Sequence, residues 1–265
     1  MLIKEFFRGG IKHGIRLCRD SGYRRYCLLE SRYARMPRHR QFSLRTGGWR
    51  LTAADAASFL SMWREIFLEE IYRFRSAPPA PVILDLGANI GLSVLFFKKQ
   101  HPEAKIIAYE ADPYLFGLLR ENLAGNRAGA AELYNQAVWD GDGILNFRGD
   151  HADGGSVVED SAAGGIEVPA VDIRTILRPF DRIDYLKIDI EGAENRVIPA
   201  AGELLKKVEN IFVEYHSPRN RPQELAALLA VLESAGFRLK LQSLPAGLPS
   251  DPFDMQLNIF GRRAD

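Results

Sequence analysis

Charged side chains recur in two segments where an apolar strand would ordinarily carry none. In Leu186-Lys187-Ile188-Asp189-Ile190-Glu191, period-two alternation puts Lys187, Asp189 and Glu191 on one face and Leu186, Ile188 and Ile190 on the other. Further along, Val213-Glu214-Tyr215-His216 repeats the pattern with Glu214 and His216. Central parallel strands are buried on both faces, so charges there need partners or a chemical task. An imidazole beside carboxylates suits proton transfer near neutral pH. His216 is therefore the expected general base, with Asp189 next in line and Lys187 as an orienting cation. Two further readings stay open: Asp189, Glu214 and His216 holding a divalent metal, which is not the favoured version, and a polar network that only ties two strands together.

A second constellation lies upstream. The apolar strand Val82–Leu86 runs into Asp85-Leu86-Gly87-Ala88-Asn89-Ile90-Gly91 and then into a helical pattern, the layout of a nucleotide-cofactor turn. Gly87 permits the tight turn, and Gly91 lets the helix approach the strand. A dinucleotide fingerprint would carry glycine at the position of Asn89, where backbone must approach a pyrophosphate. That argues against NAD and for S-adenosylmethionine, which has no pyrophosphate, with S-adenosylhomocysteine as the product. Glu110 stands 23 residues after Gly87 at the end of the next strand, placed to accept both ribose hydroxyls. The expected cofactor set is Asp85, Gly87, Ala88, Asn89, Gly91, Glu110, Ala111, Asn135, Ala137, Val138 and Asp189, with Asp112 a weaker member.

These residues need a frame that brings strand ends together. From residue 82 the pattern alternates: strand Val82–Leu86, helix Leu92–Gln100, strand Lys105–Tyr109, helix Tyr114–Ala124, strand Ala131–Val138. A Gly/Asp-rich stretch, Asp140 to Gly165, interrupts it with one short strand, Ile144–Arg148, and is expected to form a hairpin or loop on the substrate side. The alternation resumes with strand Tyr185–Ile190, helix Ala193–Lys206, strand Ile211–His216, helix Pro222–Ala235 and strands Phe237–Leu241 and Met255–Phe260. Such alternation implies βαβ units and an α/β fold with a seven-stranded, mostly parallel sheet and helices on both faces.

The motifs Ile83-Leu84-Asp85-Leu86-Gly87-Ala88-Asn89-Ile90-Gly91, Tyr109-Glu110-Ala111-Asp112-Pro113, Leu186-Lys187-Ile188-Asp189-Ile190-Glu191-Gly192-Ala193-Glu194 and Val213-Glu214-Tyr215-His216 resemble the FkbM-type methyltransferases. The resemblance spans about residues 80 to 217. It implies a class I, Rossmann-like methyltransferase fold and O-methylation of a hydroxyl on a small-molecule, glycan or glycolipid acceptor, without fixing which.

Before residue 80 the chain has a different character. Residues 1–50 hold 13 Lys/Arg against 3 Asp/Glu, whereas the remainder holds 22 against 31. The segment Ile3 to Leu17 patterns as a basic amphipathic helix, and a second helical pattern runs from about Ala53 to Arg75 with Thr52 as N-cap. The proline-rich run Ser76 to Pro81 breaks it, which suggests a basic helical cap or arm over 1–76 and a cofactor-binding domain over 77–265. The arm either docks on the acidic body or meets an anionic partner, including a membrane surface at its periphery. Nucleic acid is not the favoured partner, and a homodimer is open. The competing functional class is a non-enzymatic module presenting this arm. Cys18 and Cys27 lack zinc-site spacing, and no apolar run is long enough to span a bilayer, so a cytoplasmic enzyme is expected.

Overall fold

The computed structural model describes residues 16–126, 128, 131–149, 155–157, 165–218, 221–243 and 255–263. Its contacts divide the chain into two compact units between Ile71 and Tyr72. The division falls ahead of the proline run because Tyr72 and Phe74 pack with the second unit: Tyr72 meets Phe97 and Phe212, and Phe74 meets Tyr185.

In the first unit, helix α1 (Ser21–Tyr33) precedes a hairpin of β1 (Phe42–Thr46) and β2 (Trp49–Ala53) and helix α2 (Ala56–Trp63). Helix α2 continues as a π-helical turn over Arg64–Leu68. The helix expected over Ala53–Arg75 is therefore shorter, and Thr52 is not its cap. Thr52 pairs with Ser43 inside the hairpin, and Asp55 caps α2 by accepting from the Ser58 amide at 3.0 Å. Helix α1 was not expected from the sequence. The basic segment Ile3–Leu17 lies, up to residue 15, outside the described residues.

The second unit holds β3 (Val82–Leu86), α3 (Leu92–Gln100), β4 (Lys105–Tyr109), α4 (Pro113–Gly125), β5 (Ala131–Tyr134), β6 (Ala137–Trp139), β7 (Gly143–Arg148), β8 (Ser156–Val157), β9 (Ile166–Asp172) and α5 (Ile173–Leu177). It continues with β10 (Tyr185–Ile188), α6 (Glu194–Ala201), a 3₁₀ segment over Gly202–Lys207, β11 (Asn210–Ser217), α7 (Leu225–Ser234), β12 (Phe237–Ser243) and β13 (Met255–Arg263). The main sheet has seven strands in the order β12-β13-β11-β10-β3-β4-β5. The strands from β11 through β5 pair in parallel, and β13 runs antiparallel between β11 and β12. The central strands are apolar because both faces are covered: Leu84, Leu86, Leu186, Ile188, Ile211 and Val213 are all buried in one core.

The single strand expected over Ala131–Val138 is two. The Asn135 amide donates to the Glu110 and Ala111 carbonyls at 2.8 and 3.0 Å, which turns the chain off the sheet edge. Ala137 and Val138 then belong to β6, which joins a separate four-stranded sheet in the order β6-β9-β7-β8. The expected hairpin thus grows into a small sheet of its own.

The Asp55 carboxylate also accepts from the Ser58 hydroxyl, the His39 amide and Arg38. Asp55→Ala removes an N-cap worth about 1–2 kcal/mol together with those contacts. Urea denaturation should show at least that loss.

Candidate active site

Parallel register fixes which strand ends meet. Leu86 stands opposite Ile188, and Ile188 opposite Val213, so the residues that follow, Gly87, Asp189 and Glu214, form a row at the carboxyl edge. Asn258 on β13 lies directly opposite Glu214, and Gln256 directly opposite His216. Directly opposed residues share a face. The polar row is therefore Asp189, Glu214 and Asn258, with His216 one step above it.

Beneath the row lies Lys187, almost wholly buried. Its ammonium sits 3.2 Å from Asp85 and 3.3 Å from Asp189, and it donates to the Gly87 carbonyl at 2.6 Å. Burial alone would drive the proton off, but Asp85 and Asp189 outweigh it and hold the pKa above the ordinary lysine value. Asp85 also accepts from the Ser93 hydroxyl at 2.5 Å, tying strand, turn and helix α3 together. Asp85 thus anchors the turn from below and does not line the cleft.

The turn is shaped by close approach. Gly87 has φ +84°, and a Cβ there would fall 1.7 Å from the Asp189 carbonyl oxygen. A Cβ on Gly91 would come within 2.6 Å of Leu119. Asn89 adopts φ +49°; its amide N–H donates to Glu110 at 2.7 Å, and its side-chain oxygen accepts from the Ile90 amide. The side chain expected to meet the cofactor is thus turned onto its own loop.

Glu110 is buried and accepts one backbone N–H at each oxygen, from Asn89 and from Asp112 at 2.9 Å. Burial raises its pKa to about 7, against the two amides that favour the ionised form. Asp112 caps α4 by accepting from the Tyr114 amide at 2.8 Å.

The cleft at this edge is lined by six of the expected cofactor residues: Gly87, Glu110, Ala111, Ala137, Val138 and Asp189. Ala88, Asn89, Gly91 and Asn135 are not among its lining residues. Sequence reasoning missed Gln136, Phe147, Ile190 and Glu191, which also line it. The alternation of Ile144–Arg148 was the available signal for Phe147, but the pairing that turns it inward was not visible. The lining combines an apolar side, Ala111, Ala137, Val138 and Phe147, with the carboxylates of Glu110 and Asp189, groups that could meet the purine, the ribose diol and the amine of S-adenosylmethionine.

His216 closes the edge. Its Nδ1 is 3.4 Å from Glu194, and its Nε2 is 3.5 Å from Glu191 and 3.7 Å from Glu214. Burial works against a charged ring, but Glu191, Glu194 and Glu214 outweigh it and raise the pKa well above 6.5. The three carboxylates thus favour the protonated ring, and acting as a base or as a ligand requires that proton to be displaced. Glu194, whose role the sequence did not reveal, is fully buried and accepts from the Ile190 and Gly192 amides at 3.0 Å. It shapes the turn in which Glu191 takes φ +56°, an unusual conformation for a residue with a side chain.

Residues 85–239 match the family model described as the Methyltransferase FkbM domain. The chain belongs to the FkbM methyltransferase family. It is 30% identical over 213 residues to the methyltransferase sdnD of Sordaria araneosa, covering 66% of this chain and 81% of that protein. To the 2-O-methyltransferase NoeI of Sinorhizobium fredii it is 29% identical, covering 65% and 78%. The 31-O-demethyl-FK506 methyltransferase FkbM of Streptomyces tacrolimicus is 28% identical, covering 66% and 81%. A SAM-dependent methyltransferase structure from Agrobacterium tumefaciens shares the fold, with a TM-score of 0.51, 11% identity and coverage of 87% of this chain and 72% of that one. The FkbM-family chain is thus a methyltransferase with S-adenosylmethionine as cofactor. No helix among the described residues is long and apolar enough to cross a membrane.

Removing the Lys187 ammonium strands Asp85 as a buried charge. Lys187→Ala should cost about 3–5 kcal/mol in urea unfolding, far more than truncating a surface lysine. Glu110 makes a second expectation. Its folded pKa of about 7 exceeds the ordinary 4.5, so between those values the folded chain keeps a proton that the unfolded chain releases. Stability should fall as pH rises through that window, and Glu110→Gln should flatten the fall. A difference between wild type and Glu110→Gln that stays constant from about pH 5 to about pH 7 would show that Glu110 ionises normally.

Proposed function

We propose that the FkbM-family chain methylates a hydroxyl group on a small-molecule, glycan or lipid-linked acceptor, and that Asp189, Glu214 and His216 activate that hydroxyl. The carrying observation is the convergence of these three side chains on the carboxyl edge, where Asp189 also lines the cofactor cleft. S-adenosylmethionine, when bound, supplies an electrophilic methyl group on its sulfonium. What remains for the protein is to align the acceptor oxygen and to lower the cost of losing its proton.

A second cavity of about 430 Å³ adjoins the first and shares Glu191 and Ala193 with it. Trp139, Asn195, Arg196 and Arg221 line it, and its volume is that of a small-molecule site. The Arg196 guanidinium stands 5.1 Å from the centre of the Trp139 ring, so the wall offers a flat surface with hydrogen-bond donors. The buried Asn195 side-chain oxygen has no hydrogen-bond partner among the described residues and adds an acceptor. These features support an oxygen-rich acceptor of modest size beside the cofactor. Two of the relatives carry O-methylation in their names, which supports the same chemistry.

The test is His216→Ala, assayed for transfer of labelled methyl to fractions of a cell extract. With the hydroxyl-activating set broken, kcat should fall by about 10² to 10⁴ while S-adenosylhomocysteine affinity stays within a few-fold. An unchanged rate would remove His216 from the chemistry. Methyl recovered on nitrogen or carbon atoms of the product would overturn O-methylation.

A further inference from the structure

We propose that Asp189, Glu214 and His216, with Asn258 beside them, form a binding site for a divalent cation. The inference rests on the function proposed above only for its catalytic consequence; the site itself stands on geometry. One ligand atom from each of Asp189, Glu214 and His216 lies within 4.8 Å of the other two. Donors around a six-coordinate ion at about 2.1 Å stand about 3 to 4.2 Å apart, so closing on an ion takes a shift below about 1 Å. Two carboxylates and one imidazole, on β11 and just past the end of β10, whose pairing the sheet fixes, are a donor set for a borderline cation such as Mn²⁺.

An independent observation comes from β13. Asn258 is 1% exposed, stands directly opposite Glu214 on the same face, and neither its amide nitrogen nor its amide oxygen has a hydrogen-bond partner among the described residues. A buried amide without partners is rare and calls for an explanation. A cation held by Glu214, with its bound water, would supply partners for both atoms.

Charge points the same way. Around this edge stand the carboxylates of Asp85, Asp189, Glu191, Glu194 and Glu214, and among the described residues Lys187 and His216 make ion pairs with them. Lys187 engages Asp85 and one oxygen of Asp189, and the Gln256 amide donates to one oxygen of Glu214. Carboxylates gathered this closely repel one another, and a positive ligand would relieve the repulsion. The cation would bind the acceptor oxygen and lower its pKa, so that its proton departs to solvent, with His216 serving as a ligand.

The experiment is calorimetric titration of Mn²⁺ into chelator-treated, dialysed full-length protein, without cofactor. One saturable equivalent is expected, weakened at least about 10-fold by His216→Ala and by Glu214→Gln. S-adenosylhomocysteine affinity and circular dichroism check that each variant folds. Should Glu214→Gln fail to fold, nitrogen hyperfine coupling between bound Mn²⁺ and ¹⁵N-labelled histidine, lost in His216→Ala, decides alone. A flat titration, or binding that neither variant weakens, overturns the site and leaves those carboxylates to the sulfonium. The arms separate the two proposals. Methyl transfer that survives chelation with a flat titration removes the cation and keeps O-methylation; Mn²⁺ bound through His216 without transfer to any hydroxyl keeps the cation and removes O-methylation.

Discussion

The buried ammonium of Lys187 is the interaction on which the rest of this edge depends. It sits where two parallel strands end, and through Asp85, Asp189 and the Gly87 carbonyl it joins the cofactor turn to the strand carrying the reactive row. A buried ion pair stabilises little by itself, because desolvation cancels much of the attraction. Its value here is positional. With the ammonium satisfied on three sides, the Asp189 carboxylate is held at the boundary between the cofactor cleft and the polar row. Gly87 completes the arrangement, because the space a Cβ would need is filled by the Asp189 carbonyl.

Much of this frame was legible in the sequence because it follows from local chemistry. The continuous apolar runs of β3, β10 and β11 announce strands covered on both faces, and charges within them, such as Lys187 and Glu214, stand out against that background. The turn from Asp85 to Gly91 was equally visible, since glycine at positive φ is a local requirement. What stayed hidden depends on contacts distant in sequence. Asn135 ends β5 by reaching back to the carbonyls of Glu110 and Ala111, and nothing in Tyr134-Asn135-Gln136 marks that partner. Thr52 and Asp55 are both good caps by type, and only the hairpin pairing of Thr52 with Ser43 decides between them. Asn258 looks like a stray polar residue in an apolar strand until the register sets it beside Glu214.

Charge and backbone strain meet at the turn after β10. Glu194 reaches back to the amides of Ile190 and Gly192, which keeps Glu191 in its left-handed conformation between the two cavities. A carboxylate so placed belongs to the walls of both. The imidazole of His216 is then set by its surroundings: three carboxylates define how readily it gives up its proton, and whatever positive species approaches will change that balance.

The antiparallel strand β13 is a wedge between β11 and β12, and it carries Gln256 and Asn258. During vectorial synthesis β3, β4, β10 and β11 emerge and can pair long before residues 255–263 leave the ribosome. Until then the edge of β11 is open, without the Asn258 and Gln256 that stand opposite Glu214 and His216. The reactive edge is therefore the last part of the main sheet to close, and a chain that stalls short of β13 would present a half-built pocket on an unpaired strand, the kind of surface that chaperones bind and that sticks to its own kind.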